Sequence, residues 1–128
     1  VDAPCSGLGT LRRNPDLKWR QSPNAVQELQ VKQAAILASA ARLVKPGGRL
    51  VYATCSVLPE ENERIAEAFA AAHPDFVALD AGETLAQLKV EGAASLCSGG
   101  DTGSLYLRLW PHVHHTDGFF AAVWTRKP

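Results

Sequence analysis

An α/β fold is predicted, with a mainly parallel sheet that carries an antiparallel strand pair at its C-terminal end. Two observations lead to it. Strand-like and helical segments alternate through the first part of the chain, and two β-rich runs separated by a turn-rich stretch close it. The chain has 128 residues, 46% of them hydrophobic and 20% charged, which suits one domain with an ordinary buried core.

The elements read in order as follows. Residues 1–3 are the stub of a strand, and residues 4–16 form a loop rich in Gly, Ser, Asn and Pro. Loops of that length in compact domains are often functional. Ser22 or Asn24 caps the next element, with Pro23 in its first turn. From 25 to 44 apolar residues recur at helical spacing, and Lys45-Pro46-Gly47-Gly48 ends the helix. Leu50-Val51-Tyr52-Ala53 is an apolar run consistent with a strand buried on both faces. Pro59-Glu60-Glu61 opens a second helix whose acidic first turn complements the helix dipole, running to about Ala72. Residues 76–79 read as a strand, 83–89 as a short helix, and 91–103 as a mobile Gly/Ser-rich segment. Residues 105–110 and 119–125 are the closing antiparallel pair, joined through 111–118.

No apolar run approaches the 18 residues of a membrane span, so no membrane partner is expected. Three cysteines, an odd number, argue against a secreted disulfide framework and for a reducing, cytoplasmic compartment. There is no methionine, and the chain opens on Val1-Asp2-Ala3-Pro4-Cys5 as though on a strand end and its loop, so it is expected to be a piece of a larger domain. Residues 1–50 carry a net charge of +5 and residues 51–128 one of −5. A basic first part suits an anionic partner such as nucleic acid, and it equally suits a solvated helix face.

Ligands of open parallel sheets bind beyond the C-terminal ends of the strands. Asp2-Ala3-Pro4-Cys5-Ser6-Gly7 and Ala53-Thr54-Cys55-Ser56 both fall there, separated by one helical crossover. The simplest topology makes their strands neighbours, so that Cys5 and Cys55 face one cleft with Asp2 beside them. Two thiols and a carboxylate at one sheet end suit a nucleophile with an acid. Two buried structural thiols, or a redox pair, are the alternatives the residues leave open, although the close Cys-x-x-Cys spacing of a redox pair is absent. His112, His114, His115 and Asp117, taken with Cys97, match no zinc spacing, and no metal site is expected.

The same residues carry a resemblance. Asp2-Ala3-Pro4-Cys5-Ser6-Gly7-Leu8-Gly9 resembles motif IV of the NOP/Sun family of RNA cytosine-C5 methyltransferases. Arg12-Arg13-Asn14-Pro15-Asp16-Leu17-Lys18-Trp19 is similar to the segment that follows it in the bacterial 16S ribosomal RNA members. Tyr52-Ala53-Thr54-Cys55-Ser56-Val57 with Pro59-Glu60-Glu61-Asn62-Glu63 resembles motif VI, and Pro111-His112 with Asp117-Gly118-Phe119-Phe120-Ala121 the C-terminal motif. The resemblance implies a partial class I, Rossmann-like methyltransferase sheet, the C-terminal part of a catalytic domain that uses S-adenosylmethionine on ribosomal RNA.

It also implies roles. Cys55 adds to C6 of the target cytosine, Cys5 assists breakdown of the adduct, and Asp2 hydrogen-bonds the pyrimidine edge and borders the cofactor. Pro4, Ser6, Arg12, Arg13 and Lys18 face the RNA. Trp19 offers a stacking surface or, as the simpler expectation, packs inside. The family's glycine-rich cofactor loop, acidic ribose-binding residue and catalytic lysine lie upstream of motif IV and have no counterpart here. The resemblance therefore implies the cytosine-activating half of a site without most of its cofactor half. A non-catalytic RNA-binding module with the same fold is the alternative, and two thiols at one sheet end argue against it.

Overall fold

A computed structural model describes residues 1–128. The first long element is helix α2 (Pro23–Ala41), preceded by a 3-10 turn at Leu8–Thr10 and by the single-turn helix α1 (Leu17–Arg20). The Ser22 hydroxyl caps α2 by accepting the Ala25 N–H at 3.1 Å, with Pro23 at the first helical position. One stripe of α2 is buried, Gln33, Leu37 and Ala41 at steps of four. The helix stops at Ala41 rather than 44, because the Leu43 and Val44 amides turn back onto the Ala40 and Ala41 carbonyls.

Strand β1 (Arg49–Thr54) buries Leu50, Tyr52 and Thr54. Val51 is 38% exposed, so β1 is buried on one face, not on both. Helix α3 (Glu63–Ala72) starts two residues beyond Glu61, which turns inward instead of lining a first helical turn. Strand β2 (Phe76–Leu79) and helix α4 (Ala81–Gln87) follow, the latter capped by the Asp80 carboxylate accepting the Glu83 N–H. Within 91–103 lie a 3-10 turn (Ala93–Leu96) and the two-residue strand β3 (Cys97–Ser98). Strand β4 (Tyr106–Leu109), the short helix α5 (Pro111–His114) and strand β5 (Phe119–Arg126) complete the chain.

The expectation of a mainly parallel sheet does not hold. Each of the named strand pairs, β1 with β5, β2 with β5, β4 with β5 and β3 with β4, is antiparallel. The physical reason is the place of β5. β1 and β2 run in the same direction, as their alternation with helices requires, but β5 inserts between them and pairs antiparallel with both. The parallel contact in the sheet is the Asp2–Ala53 bridge, where the N-terminal stub meets β1. The closing pair β4–β5 is antiparallel as expected, in register Leu107 with Ala121 and Leu109 with Phe119.

The core sits between this sheet and α2 and α3. Phe120, Ala122 and Trp124 project from one face of β5, Leu50 and Tyr52 from β1. Leu37 and Ala41 of α2 and Ile65, Ala66 and Phe69 of α3 cover them. Phe69 lies 4.7 Å from Trp124 and 5.4 Å from Phe76, centroid to centroid, within the range of favourable aromatic pairs. This layer makes β1 a rigid base for the loop beyond Thr54.

Candidate active site

The site is built where two strands end together. The Ala3 N–H donates to the Ala53 carbonyl and the Ala53 N–H to the Val1 carbonyl, both at 2.9 Å. The neighbouring strands inferred from the sequence are therefore present, and the loops beyond Ala3 and Thr54 leave the sheet side by side. They bring Cys5 Sγ within 3.4 Å of Cys55 Sγ, both thiols free and half-buried. Asp2, whose backbone is bridged to Ala53, is exposed at the same edge, and so is Pro4.

Burial pushes the Cys5 thiol up to about 12, and its contact with Cys55 acts in the same direction. The Gly7 amide opposes this and is outweighed. Cys5 therefore keeps its proton at neutral pH, and its S–H can donate to Cys55 Sγ.

Beneath the thiols lies a buried polar network. The Glu61 carboxylate, fully buried, accepts the Ser6 N–H at 2.8 Å and the Ser6 hydroxyl at 2.7 Å. It also accepts a very short bond from the Ser56 hydroxyl and one from the Gln33 amide at 3.2 Å. Gln33 gives a second N–H to the Pro4 carbonyl at 2.9 Å. Its own Oε1 is buried without a partner, a cost of about 1–3 kcal/mol. Thr54 Oγ1 donates to Asn62 Oδ1 at 2.5 Å, and Asn62 Nδ2 donates to the Ser56 carbonyl at 2.9 Å. The Tyr52 hydroxyl donates to the Glu61 carbonyl at 2.6 Å.

The C-terminal segment closes the site from the other side. The Gly9 N–H donates to the Cys55 carbonyl at 2.8 Å, and the Gly118 N–H donates to the Gly9 carbonyl at 2.7 Å. A Cβ on Gly9 would stand 2.5 Å from the carbonyl oxygens of both Cys55 and Gly118, so the three segments meet where no side chain fits. Asp117 then takes Arg12 Nε at 3.0 Å and Arg13 Nη2 at 2.5 Å. The Arg13 hydrogen bond, with Arg12 adding to it, holds the Asp117 carboxyl below the usual carboxylate range.

The residues singled out in the sequence thus fall into two groups. Cys5, Cys55 and Asp2 gather at one sheet edge. Ser6 is 2% exposed, and its amide and hydroxyl are both occupied by Glu61, so it braces the loop from within. Arg12 and Arg13 keep 49% and 60% of their side-chain surface exposed while pairing with Asp117. Trp19 is 80% exposed and does not pack inside as expected, because α1 is a single turn that presents it outward with Lys18 Nζ 4.9 Å from its ring centre. His114 is tied to the Trp110 N–H and the Ser95 carbonyl, and no group of three His, Cys, Asp or Glu side chains is placed to hold a metal ion. Sequence reasoning missed Glu61, Gln33 and Asn62. The available signal was the repeated Cys-Ser-x-Leu of residues 5–8 and 55–58, which asks what both serines bind.

A five-stranded α/β sheet with paired thiols at one edge defines the class of molecule, and comparison with known proteins gives the family. Residues 1–125 match the family described as 16S rRNA methyltransferase RsmB/F, and the chain belongs to it. It is 44% identical over 122 residues to a probable ribosomal RNA small subunit methyltransferase B of Synechocystis, covering 95% of this chain and 25% of the relative. A Bacillus subtilis protein of the same description is 39% identical over 127 residues, 99% of this chain and 27% of the relative. Among solved structures, PH0851 superposes with a TM-score of 0.79 at 40% identity, over 96% of this chain and 25% of that one. NSun6 from Pyrococcus horikoshii, solved with SFG, gives 0.72 at 26% identity over 100% and 29%. The chain spans about a quarter of the length of the relatives it matches.

Proposed function

We propose that this chain is the C-terminal part of a catalytic domain and supplies the cytosine-activating half of an S-adenosylmethionine-dependent 16S rRNA cytosine-C5 methyltransferase. The observation that carries the reading is the Cys5–Cys55 pair, 3.4 Å apart at the end of adjacent parallel strands, with Cys5 held protonated.

C5 of cytosine is a poor nucleophile until electron density is delivered to it. Cys55 gives up its thiol proton to water and its thiolate forms a bond to C6, the C5–C6 π electrons move to C5, and C5 takes the methyl group. Loss of the C5 proton to water reforms the double bond and expels Cys55 Sγ as thiolate. The Cys5 S–H, already in contact with that sulfur, hydrogen-bonds it as it leaves. Asp2 offers its exposed carboxylate to the amino edge of the cytosine, fixing which face of the ring meets Cys55.

Asp2, exposed at the strand end that leads to Cys5, is the residue here that would face the reacting end of the methyl donor, and no glycine-rich strand-to-helix turn stands in this chain to cradle the rest of the molecule. S-adenosylmethionine, when bound, supplies the methyl group. The target base must leave its stack to reach the thiols. Lys18 and Trp19, both exposed, and the outward faces of Arg12 and Arg13 are the RNA-facing groups, together with Pro4.

The test is methyl transfer by the whole protein from labelled S-adenosylmethionine to 16S rRNA, followed by nucleoside analysis. The expected product is 5-methylcytidine, lost at least a thousandfold in Cys55→Ala. Label in any other nucleoside, or full activity in Cys55→Ala, contradicts the reading.

A further inference from the structure

The two cysteine loops share a construction that the proposed chemistry does not by itself require. Residues 5–8 and 55–58 both read Cys-Ser-x-Leu. In each, the serine Oγ accepts the leucine N–H two residues on, Leu8 to Ser6 at 3.3 Å and Leu58 to Ser56 at 3.1 Å. Each serine hydroxyl then donates to the same atom, Glu61 Oε2. The hydroxyls themselves lie 3.4 Å apart, the same distance as the two sulfurs. Glu61 Oε1 adds the Ser6 N–H and the Gln33 amide. Four donors thus converge on one fully buried carboxylate, filling its acceptor capacity.

We propose that Glu61 is a positioning residue that sets the separation of the two thiols. This rests on the assignment of Cys5 and Cys55 to the reaction given above. Each serine follows its cysteine directly, so fixing both hydroxyls on one oxygen fixes both cysteine backbones relative to each other. The strand pairing brings the loops to the same edge but ends at Ala3 and Thr54, before either cysteine. The Gly9–Cys55 backbone bond ties the loops at one point beyond the strands, and Glu61 is the side-chain joint that fixes both serines, and with them both cysteines, there. Only an anionic or acceptor-only group does this. A glutamine at 61 has one acceptor oxygen, so whichever way its amide lies, its NH2 faces the N–H donors of Ser6 and Gln33 or the two serine hydroxyls.

The experiment reads thiol proximity directly. In the whole protein, diamide oxidises a pair of neighbouring thiols to a disulfide, taking up their two electrons and two protons. Cys5 and Cys55 should close quickly, leaving Cys97 free as an internal reference. Glu61→Gln should slow closure at least tenfold while iodoacetamide labels Cys97 within twofold of the wild-type rate. Ser56→Ala, the milder change, should slow closure about threefold. The double variant should be no slower than Glu61→Gln, because both act through one joint. Methyl-transfer kcat should fall at least tenfold in Glu61→Gln with the KM for RNA within threefold. Wild-type disulfide closure in Glu61→Gln overturns the proposal. So does an equal acceleration of Cys97 labelling, which would mark general loosening. If Cys55→Ala retains methyl transfer, the proposed chemistry fails while the diamide rates still measure the joint.

Discussion

Aromatic rings pack along strand β5 from Trp124 to Phe120, and beyond its Phe120 end the chain is held by buried hydrogen bonds. Trp124 sits opposite Leu50 of β1 and beneath Phe69, which also meets Phe76. Phe120 sits opposite Thr54, from which the loop runs on through Ser56 to Glu61 and Asn62, all fully or nearly fully buried. Apolar packing is non-directional and tolerates small displacements. Hydrogen bonds are directional, and a buried donor left unpaired is costly. One end therefore stabilises the domain, and the other fixes where two sulfur atoms stand.

The sharpest way to separate the two ends is to damage the first. Trp124→Ala removes a side chain that is 2% exposed and should cost about 3–5 kcal/mol. Urea unfolding of the whole protein measures it. Methyl transfer per folded molecule should stay within about threefold of wild type.

Gly9→Ala attacks the other end. Its Cβ meets two backbone carbonyls that cannot move independently. Overpacking of this kind costs about 1–3 kcal/mol. Activity should fall by more than stability does, at least a hundredfold in kcat, since the displaced carbonyl belongs to Cys55.

A pH titration gives a smaller effect. The Cys5 proton is held from an ordinary value near 9 up to about 12 in the folded protein. The folded state then binds a proton that the unfolded state releases. This contribution is complete below pH 9 and is lost as pH rises toward 12. Tyr52, also raised by burial, pulls the same way, so the difference between wild type and Cys5→Ser isolates the thiol. The variant should show a shallower alkaline decline in its urea midpoint.

The smallest effect belongs to Asp117. Its lowered carboxyl contributes above the ordinary carboxylate value, and the contribution disappears as pH falls through the depressed one. The Arg12 and Arg13 side of the pair is exposed and screened by salt. Asp117→Asn should leave the melting temperature unchanged within error. A large destabilisation would mean that the C-terminal segment does more than close over Gly9.

The same contrast explains what the sequence reveals. Helix α2 is legible from apolar residues at helical spacing, strand β1 from a short apolar run and the β4–β5 pair from two β-rich segments around a turn-rich stretch, while the one-sided burial of β1 is masked by the apolar residue on its exposed face, Val51. The place of β5 between β1 and β2 is not, since adjacency in a sheet leaves no mark on local periodicity. Cys5 and Cys55 are legible as a pair because both follow strand-like segments. Glu61 reads as an ordinary acidic first turn, since nothing in its neighbours tells a solvated carboxylate from one that turns inward to bind serines at residues 6 and 56. Arg108, buried beside Phe120 and paired with Glu63, is hidden in the same way within an apolar strand.

The central claim is that two thiols held in contact do different work, and covalent trapping on RNA tests it most directly. The whole protein and its Cys5→Ala and Cys55→Ala variants would be incubated with 16S rRNA and S-adenosylmethionine and resolved on denaturing gels. Cys5→Ala should accumulate a stable protein–RNA adduct, because the departing sulfur has lost its hydrogen-bond donor, and Cys55→Ala should form none. A stable adduct in Cys55→Ala with none in Cys5→Ala would reverse the two roles and contradict the account.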